Sequence, residues 1–226
     1  MVFYWVSFGD PETAKQFVSV STFVFAIFAG FFIARQGRRY NEITRSLTNL
    51  DGNVSALYRL IDYFGSEAQS KMADNIRSYY DPIFKNHAWD WNLTHKSSLM
   101  TNTHAIVKEY GSKEKLNDLE KSAVAQCMTM LNQLQSVRKY LIALYQERIP
   151  RQQWVLIVAL CVILLVTIAM LPSIGDVLAA TLKAAYATII LLVLAMLRQF
   201  DTLSFYEGSI GQHSAQDVLD ILAGKK

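Results

Sequence analysis

The sequence predicts an all-α integral membrane protein with three transmembrane helices and a helical cytoplasmic domain between the first and the second. Three apolar runs support this prediction: Phe17–Ala34, Trp154–Leu171 and Val177–Leu197. Each is close to the ~20 residues that an α-helix needs to cross a ~30 Å hydrocarbon layer. A chain in lipid must satisfy its own backbone hydrogen bonds, so we expect these runs to be helices. The polar middle of the chain shows no alternating strand pattern, which favours helices there too.

The apolar runs divide the chain into four predicted regions. An N-terminal interfacial segment and the first transmembrane helix take residues 1–34, and a cytoplasmic helical domain takes residues 35–153. A transmembrane helical hairpin takes residues 154–198, and a cytoplasmic C-terminal tail takes residues 199–226. Both ends of the central domain run directly into membrane helices, so the sequence shows no linker at which that domain separates.

The distribution of basic residues predicts the orientation of the chain in the membrane. Arg35, Arg38 and Arg39 follow the first run, whereas the hairpin loop Pro172–Asp176 has neither Lys nor Arg. Lys and Arg concentrate on the cytoplasmic side of membrane proteins. We therefore expect a multi-pass protein with its N-terminus outside and its C-terminus in the cytoplasm.

Apolar residues at helical spacing predict the elements of the central domain. The first membrane helix is expected to continue to about Leu47 and to end at a turn over residues 49–52, where Gly52 is free to take a positive φ. Pro82 is expected to kink or break a later helix. The longest helix is predicted from about Ser112 to Arg148. It carries an a/d seam made of Leu116, Leu119, Ala123, Met130, Leu134, Val137, Leu141 and Leu144. This seam packs either on helices of the same chain or on another subunit.

Small side chains recur along the first transmembrane helix. Thr22, Ala26, Gly30 and Ala34 follow one another at four-residue spacing. Such stripes let helix backbones approach closely in lipid, where no hydrophobic force drives helices together. The stripe serves either packing within the chain or the assembly of several copies.

Phenylalanines line another face of the same helix. Phe25, Phe28 and Phe32 lie on that face. One such face from each of several subunits would form a hydrophobic constriction that gates by dewetting. The alternative is that these rings face lipid or the interior of the helix bundle.

Three basic residues are candidates for attracting an ion. Arg35 and Arg38 lie at the predicted cytoplasmic mouth, where rings of charge act in channels, although a role in setting the orientation also explains them. Lys183 is the one charged residue inside an apolar run. An ionisable residue in a membrane helix marks a functional site by default. The alternative is that its long side chain reaches the headgroups from near the outer end of the helix.

No pattern in the sequence indicates catalysis, a cofactor or a metal. Cys127 and Cys161 form no C-x-x-C pair, and the four histidines show no metal-ligand spacing. The net charge of +3 is not gathered into one basic patch, which argues against nucleic-acid binding. We therefore expect the protein not to be an enzyme and to bind no cofactor, metal or nucleic acid.

Two segments carry a resemblance to a known family. One runs from Arg148-Ile149-Pro150 to Trp154-Val155-Leu156, and the other is Leu197–Gly208, with Phe200-Asp201 and Phe205 inside it. They resemble the Arg…Pro-x-x-x-Trp-x-x-Leu and Leu-Asp-x-Pro-Phe-x-Gly segments of the bestrophin-like family, uncharacterised bacterial membrane proteins with a domain of unknown function. Here the second segment has insertions and lacks the proline. The resemblance covers about residues 30–208 and implies kinship with pentameric anion channels.

This resemblance, taken with the residues above, leads to two functional hypotheses. The first is a homo-oligomeric protein of the bacterial inner membrane that contacts the lipid bilayer and forms a channel, with an inorganic anion as its ligand. The second is a non-transporting membrane scaffold or sensor whose cytoplasmic helices bind a partner.

Overall fold

The chain is built of α-helices in a computed structural model, which describes residues 11–113, 115–170, 177–204 and 211–225. In chain order the helices are α1 (Pro11–Ile61), α2 (Ser66–Asn86), α3 (Trp91–Thr94), α4 (Leu99–Gly111), α5 (Asp118–Gln146), α6 (Arg151–Met170), α7 (Val177–Thr202) and α8 (Gln212–Leu222). A 3₁₀ turn, Asp62–Phe64, follows α1. No strand occurs among the described residues, and the predicted all-α class is confirmed.

Among the described residues, three helical stretches are long and apolar enough to cross a membrane. They are Lys15–Phe64, Asp118–Met170 and Val177–Thr202, and they contain the three apolar runs. The chain is therefore a helical membrane protein. The side of the membrane on which each terminus lies stays a prediction.

The chain divides into two compact units, and each is described by itself. Unit 1 consists of Met1–Arg38 and Arg148–Phe205, and unit 2 consists of Arg39–Glu147 and Tyr206–Lys226. The first part of α1 thus belongs to unit 1 and the rest of α1 to unit 2. The four regions predicted from the sequence are defined by where the chain enters and leaves a membrane. These two units do not test them, and the four regions stay a prediction.

The core of unit 1 lies where the first part of α1, α6 and α7 meet. The apolar side chains buried there are Phe25, Ala29, Phe32, Ile149, Ile157, Cys161, Leu164, Ile168, Ile190 and Leu197. The opposite sides of α6 and α7 expose large aliphatic residues such as Val162 and Leu192. Exposed aliphatic side chains of this size suit contact with lipid.

The core of unit 2 joins the second part of α1 to α2, α4, α5 and α8. Its fully buried side chains include Ile43, Val54, Leu57, Ile61, Met72, Ile76, Leu134 and Leu141. Most residues of the predicted α5 seam face this core, and Ala123, Leu134, Leu141 and Leu144 are buried, whereas Leu119 is exposed. The seam therefore packs within the chain, as one of the two alternatives predicted.

The predicted turn over residues 49–52 is wrong, because α1 continues through it to Ile61. Leu50, Val54 and Leu57 are buried and continue the helical face that Ile43 begins. A glycine inside a helix costs about 1 kcal/mol relative to alanine. Burial of this apolar face offsets the cost of Gly52.

Two further predicted helix boundaries are corrected. α2 runs through Pro82 to Asn86, so Pro82 does not break the helix, and the alternative of a kink there stays a prediction. α5 begins at Asp118 instead of Ser112, because Asn117 and Glu120 form a capping box there. The Asn117 side chain accepts from the Glu120 backbone at 2.8 Å, and the Glu120 carboxylate accepts from the Asn117 backbone at 2.7 Å.

Candidate functional site

The membrane portion of α1 has one buried face and one exposed face. Successive helical residues point about 100° apart, so Phe25 and Phe32 lie on one side and Phe23, Ile27 and Phe31 on the other. Phe25 is 7% exposed and Phe32 is 2% exposed. Phe23 is 67%, Ile27 54% and Phe31 55% exposed. One face of this apolar segment is therefore covered by other helices of the same chain, and the opposite face is exposed.

The residues of the predicted constriction lie on the buried face. Phe25 and Phe32 belong to the core that α1 forms with α6 and α7, and Phe28 packs against that core. A ring surrounded by side chains of its own chain is not free to line a path for ions. A constriction made by Phe25, Phe28 and Phe32 stays untested, and this packing argues against it.

The stripe of small residues divides between the two environments. The Thr22 hydroxyl lies 2.5 Å from the Tyr186 hydroxyl of α7 and donates to the Val18 carbonyl at 2.7 Å. Ala26, Gly30 and Ala34 are exposed. A helix has 3.6 residues per turn, so each step of four residues shifts the side chain by about 40° around the helix axis. The stripe therefore begins on the side that contacts α7, at Thr22, and continues onto the exposed face. A side-chain carbon added at Gly30 would meet nothing within 4 Å.

Arg35 and Arg38 end the membrane portion of α1. Arg38 is exposed, and Arg35 is half-buried. Both positions are compatible with the predicted attraction of anions, which stays a prediction.

The neighbouring Arg39 has a structural role. In the sequence it stands out only as one of three basic residues that indicate the orientation of the chain. It is almost wholly buried in unit 2. Its Nε donates to the Leu144 carbonyl at 2.7 Å, and its Nη2 donates to the Tyr145 carbonyl at 2.9 Å. The last carbonyls of a helix have no partner within the helix. Arg39 therefore caps the C-terminal end of α5.

Lys183 lies on the inward face of α7. It is half-buried, and Tyr186 and Ile190 follow it on the same face at helical spacing. Asp176, which shares that face by sequence, lies outside the described residues. The predicted role of Lys183 in ion attraction stays a prediction.

Asp201 joins the two segments that carried the family resemblance. Its carboxylate accepts from the Ile149 backbone N–H at 2.7 Å and from Trp154 Nε1 at 3.3 Å. The Arg148 guanidinium donates to the Asp201 carbonyl. Asp201 is buried, so these bonds fix the start of α6 against the end of α7. Sequence reasoning quoted these residues as motifs but did not predict that they meet.

Asp51 is the centre of a buried polar cluster in unit 2. It lies on α1, and its Oδ1 accepts from the Tyr80 hydroxyl at 2.5 Å. Its Oδ2 accepts from the Ser214 hydroxyl of α8. Burial raises the pKa of Asp51 to about 6, although the hydrogen bonds from Ser214 and Tyr80 oppose the rise. Sequence reasoning placed Asp51 in a turn, and no local signal indicated a buried acid.

Potential metal ligands do not converge in the part of the chain that the structure describes. No group of three His, Cys, Asp or Glu side chains there is arranged to hold a metal ion. Burial raises the pKa of Cys127 to about 11, so its thiol is protonated at neutral pH.

The fold and these sites define a class, a membrane protein with three apolar helices and a second helical unit whose apolar core encloses a few polar side chains. Comparison with known families identifies that class more closely, since the model of the bestrophin-like domain matches residues 7–203. The chain belongs to the bestrophin-like family, as its motifs predicted. No curated protein and no solved structure matches it.

Proposed function

We propose that this protein forms a homo-oligomeric pathway for inorganic anions in the bacterial inner membrane, lined by the exposed face of α1. The observation that carries the proposal is the character of that face. It combines Ala26, Gly30 and Ala34 with bulky apolar residues, and all are exposed in the single chain. Membership in a family named for its likeness to the bestrophins supports a channel-related role.

The exposed sides of the three membrane helices differ. Those of α6 and α7 present large aliphatic side chains such as Val162, Leu182 and Leu192. α7 also exposes Ala180, Ala184 and Ala185, but α1 is the one described membrane helix that exposes a glycine, Gly30, with Ala26 and Ala34 four residues to either side. Lipid tails fill a surface of large side chains well, whereas small residues favour the close approach of another helix. We therefore place α1 next to copies of itself, and α6 and the large aliphatic side chains of α7 next to lipid.

The constriction of the proposed pathway lies on the exposed face. Phe23, Ile27 and Phe31 occupy three successive turns of it. Several copies of such a face would form a narrow apolar ring, which controls conduction by excluding water. We prefer these residues to Phe25, Phe28 and Phe32 because the latter pack inside the chain.

We assign the preference for anions to Arg35 and Arg38, at the end of the membrane portion of α1. Arg38 is exposed and Arg35 half-buried directly after the apolar segment. Repeated around a ring of subunits, these guanidinium groups raise the local concentration of anions. Lys183 contributes to the same preference from the opposite end of the membrane.

The orientation proposed is an outside N-terminus with residues 35–153 and 199–226 in the cytoplasm. Single cysteines at Ser112 and Ser173 test it, since Ser112 lies between α4 and α5 and Ser173 belongs to the hairpin loop that the sequence predicts. A membrane-impermeant thiol reagent should label the Ser173→Cys protein in intact cells. It should label Ser112→Cys only after the membrane is opened. The reverse pattern would invert the topology.

Chloride flux from liposomes that contain the purified full chain tests the pathway. Ile27→Ala should raise the flux severalfold, because a wider apolar ring excludes water less strongly. Ile189→Ala is a matched control, since Ile189 of α7 is 59% exposed and Ile27 is 54% exposed. The control should leave the flux unchanged.

Two results would contradict the proposal. Equal effects of Ile27→Ala and Ile189→Ala would remove α1 from the pathway. Flux no greater than that of empty liposomes, from folded and oligomeric protein, would remove transport itself.

A groove in unit 2 favours the second hypothesis, a scaffold or sensor. It lies between α4 and α5, has a volume of about 430 Å³, and is lined by residues that include Met100, Met128 and His104. Flexible methionines suit adaptable protein contacts. Absence of flux, together with a partner cross-linked through a photoreactive residue at Met128, would support this function instead.

A further inference from the structure

The C-terminal helix α8 packs over the buried carboxyl group of Asp51. It buries Ala215 and Val218 in unit 2. At its start, Gly211 has φ +70°, and a side-chain carbon added there would stand 3.2 Å from Leu47 Cδ1. Only glycine combines this backbone conformation with so close an approach. The region matched to the family ends at residue 203, so α8 lies outside it.

In the part of the chain that the structure describes, no cation is placed to balance a charge on Asp51. The ionisable groups that act on its surroundings are Tyr79 and Tyr80 of α2, and Arg138 of α5 acts on Tyr79. Within the described residues, Asp51 forms no ion pair, and burial is the dominant influence on it. On α8 itself, the ionisable side chains nearest to Ser214 in sequence, His213 and Asp217, are exposed.

The cluster satisfies all its hydrogen bonds when Asp51 is protonated. The Tyr80 hydroxyl still donates to Oδ1, and the protonated Oδ2 donates to the Ser214 oxygen. The Ser214 hydrogen then turns to the Gly211 carbonyl, which lies 3.2 Å away. When Asp51 is ionised, the same two hydroxyl groups donate to a buried charge that has no counter-ion among the described residues. The neutral state therefore suits the packed arrangement of α8 better.

A small cavity lies beside this carboxyl group. Its volume is about 20 Å³, and Asp51, Tyr80, Asn92, Gly211 and Ala215 are among the residues that line it. A cavity of this size holds about one water molecule. The contact between α8 and the rest of unit 2 is therefore not tightly filled at the point where the proton binds.

We propose that α8 is a reversible latch on unit 2 and that a proton on Asp51 strengthens its hold. Release of α8 exposes the carboxyl group to water, which returns its pKa from about 6 towards the ordinary 3.8. The docked form thus binds the proton more tightly than the released form. By linkage, docking weakens as the pH rises through about 6 and is strongest below about 4.

Hydrogen–deuterium exchange of the α8 backbone in the full chain, held in detergent micelles, tests the latch. After correction for the intrinsic exchange rate, protection of α8 should fall by up to about tenfold between pH 5 and pH 8. Asp51→Asn should abolish this step, because the amide does not titrate. Ser214→Ala should lower protection at both pH values, because it removes a hydrogen bond that holds α8.

A matched control separates this effect from a general response to pH. Asp74→Asn removes an exposed carboxylate of α2 and should leave the step intact. A step of unchanged size in Asp51→Asn overturns the proposal. If that variant fails to fold, the direction of the pH effect in the unmodified protein decides. Greater protection of α8 at pH 8 than at pH 5 also overturns the proposal.

Discussion

The two units hold their helices together by different forces. Unit 1 buries a few polar side chains, Ser21, Gln36, Thr167 and Asp201, beside its apolar core, and its helices also expose many large aliphatic side chains. Unit 2 buries Asp51, Asn75, Asn92 and Thr103 among its apolar residues, and its surface carries ion pairs such as Lys71–Glu109. Lipid is as apolar as a leucine side chain, so helices in lipid associate through packing and hydrogen bonds. Burial from water drives the assembly of a unit such as unit 2.

The difference shows where the stability of each unit comes from. With unit 2 in water and unit 1 in lipid, as we propose, a buried leucine in unit 2 is removed from water, whereas a buried leucine in unit 1 exchanges lipid contacts for protein contacts. The same substitution should therefore have unequal effects in the two units.

The largest expected effect is that of Leu57→Ala in unit 2. Leu57 and Leu164 of unit 1 are both fully buried, so Leu164→Ala is the matched comparison. In a core that excludes water, Leu→Ala costs about 2–5 kcal/mol. We expect Leu57→Ala to lower the thermal unfolding midpoint of the full chain in micelles more than Leu164→Ala does. An equal or larger shift for Leu164→Ala would contradict the comparison.

The next largest effect is that of Asp201→Ala, which removes the polar contact at the edge of unit 1. It leaves the Ile149 N–H and the Trp154 Nε1–H without their acceptor. Buried donors without a partner cost about 1–3 kcal/mol each, so we expect a loss of about 2–3 kcal/mol in unfolding free energy. Asp201→Asn keeps one acceptor oxygen and should cost less. Equal losses in the two variants would assign the stabilisation to charge and not to hydrogen bonding.

The smallest expected effect is that of Asn75→Ala in unit 2, where the buried Asn75 side chain connects α2 to α4. Its Nδ2 donates to the Leu99 carbonyl and to Thr103 Oγ1, each at 3.0 Å, and its Oδ1 accepts from Asn102. Asn75→Ala should cost about 1–2 kcal/mol, because these groups lose a partner. Exposed Asn41 provides the control, and Asn41→Ala should leave the unfolding midpoint unchanged. A midpoint unchanged by Asn75→Ala would show that apolar packing alone holds α2 and α4 together.

Sequence patterns predicted the helices better than their ends and their contacts. The three apolar runs predicted α6, α7 and the first part of α1, because hydrocarbon thickness fixes the length of a membrane helix. The α5 seam predicted the buried face of that helix, because apolar residues that recur with the 3.6-residue period of a helix can be recognised in a single sequence. The turn at Gly52 was wrong, since a local preference of about 1 kcal/mol yields to burial of Leu50, Val54 and Leu57.

The face that α1 presents to its own chain was not predictable in the same way. Phenylalanines occur on both faces of this apolar segment, so the period places Phe25 with Phe32 but does not show which face is buried. Contact with α6 and α7 makes that choice. The polar contacts have the same origin, since Asp51 meets Ser214 and Asp201 meets Ile149 across long stretches of chain.

The sequence by itself determined the class of this protein, a helical membrane protein of the bestrophin-like family. Length, hydropathy and short motifs are local properties, and they suffice for that conclusion. The tertiary structure decided which side chains are enclosed, which acid is buried and which face of α1 stays open. Those outcomes depend on contacts between residues far apart in the chain, and a single helical period carries no information about its partners.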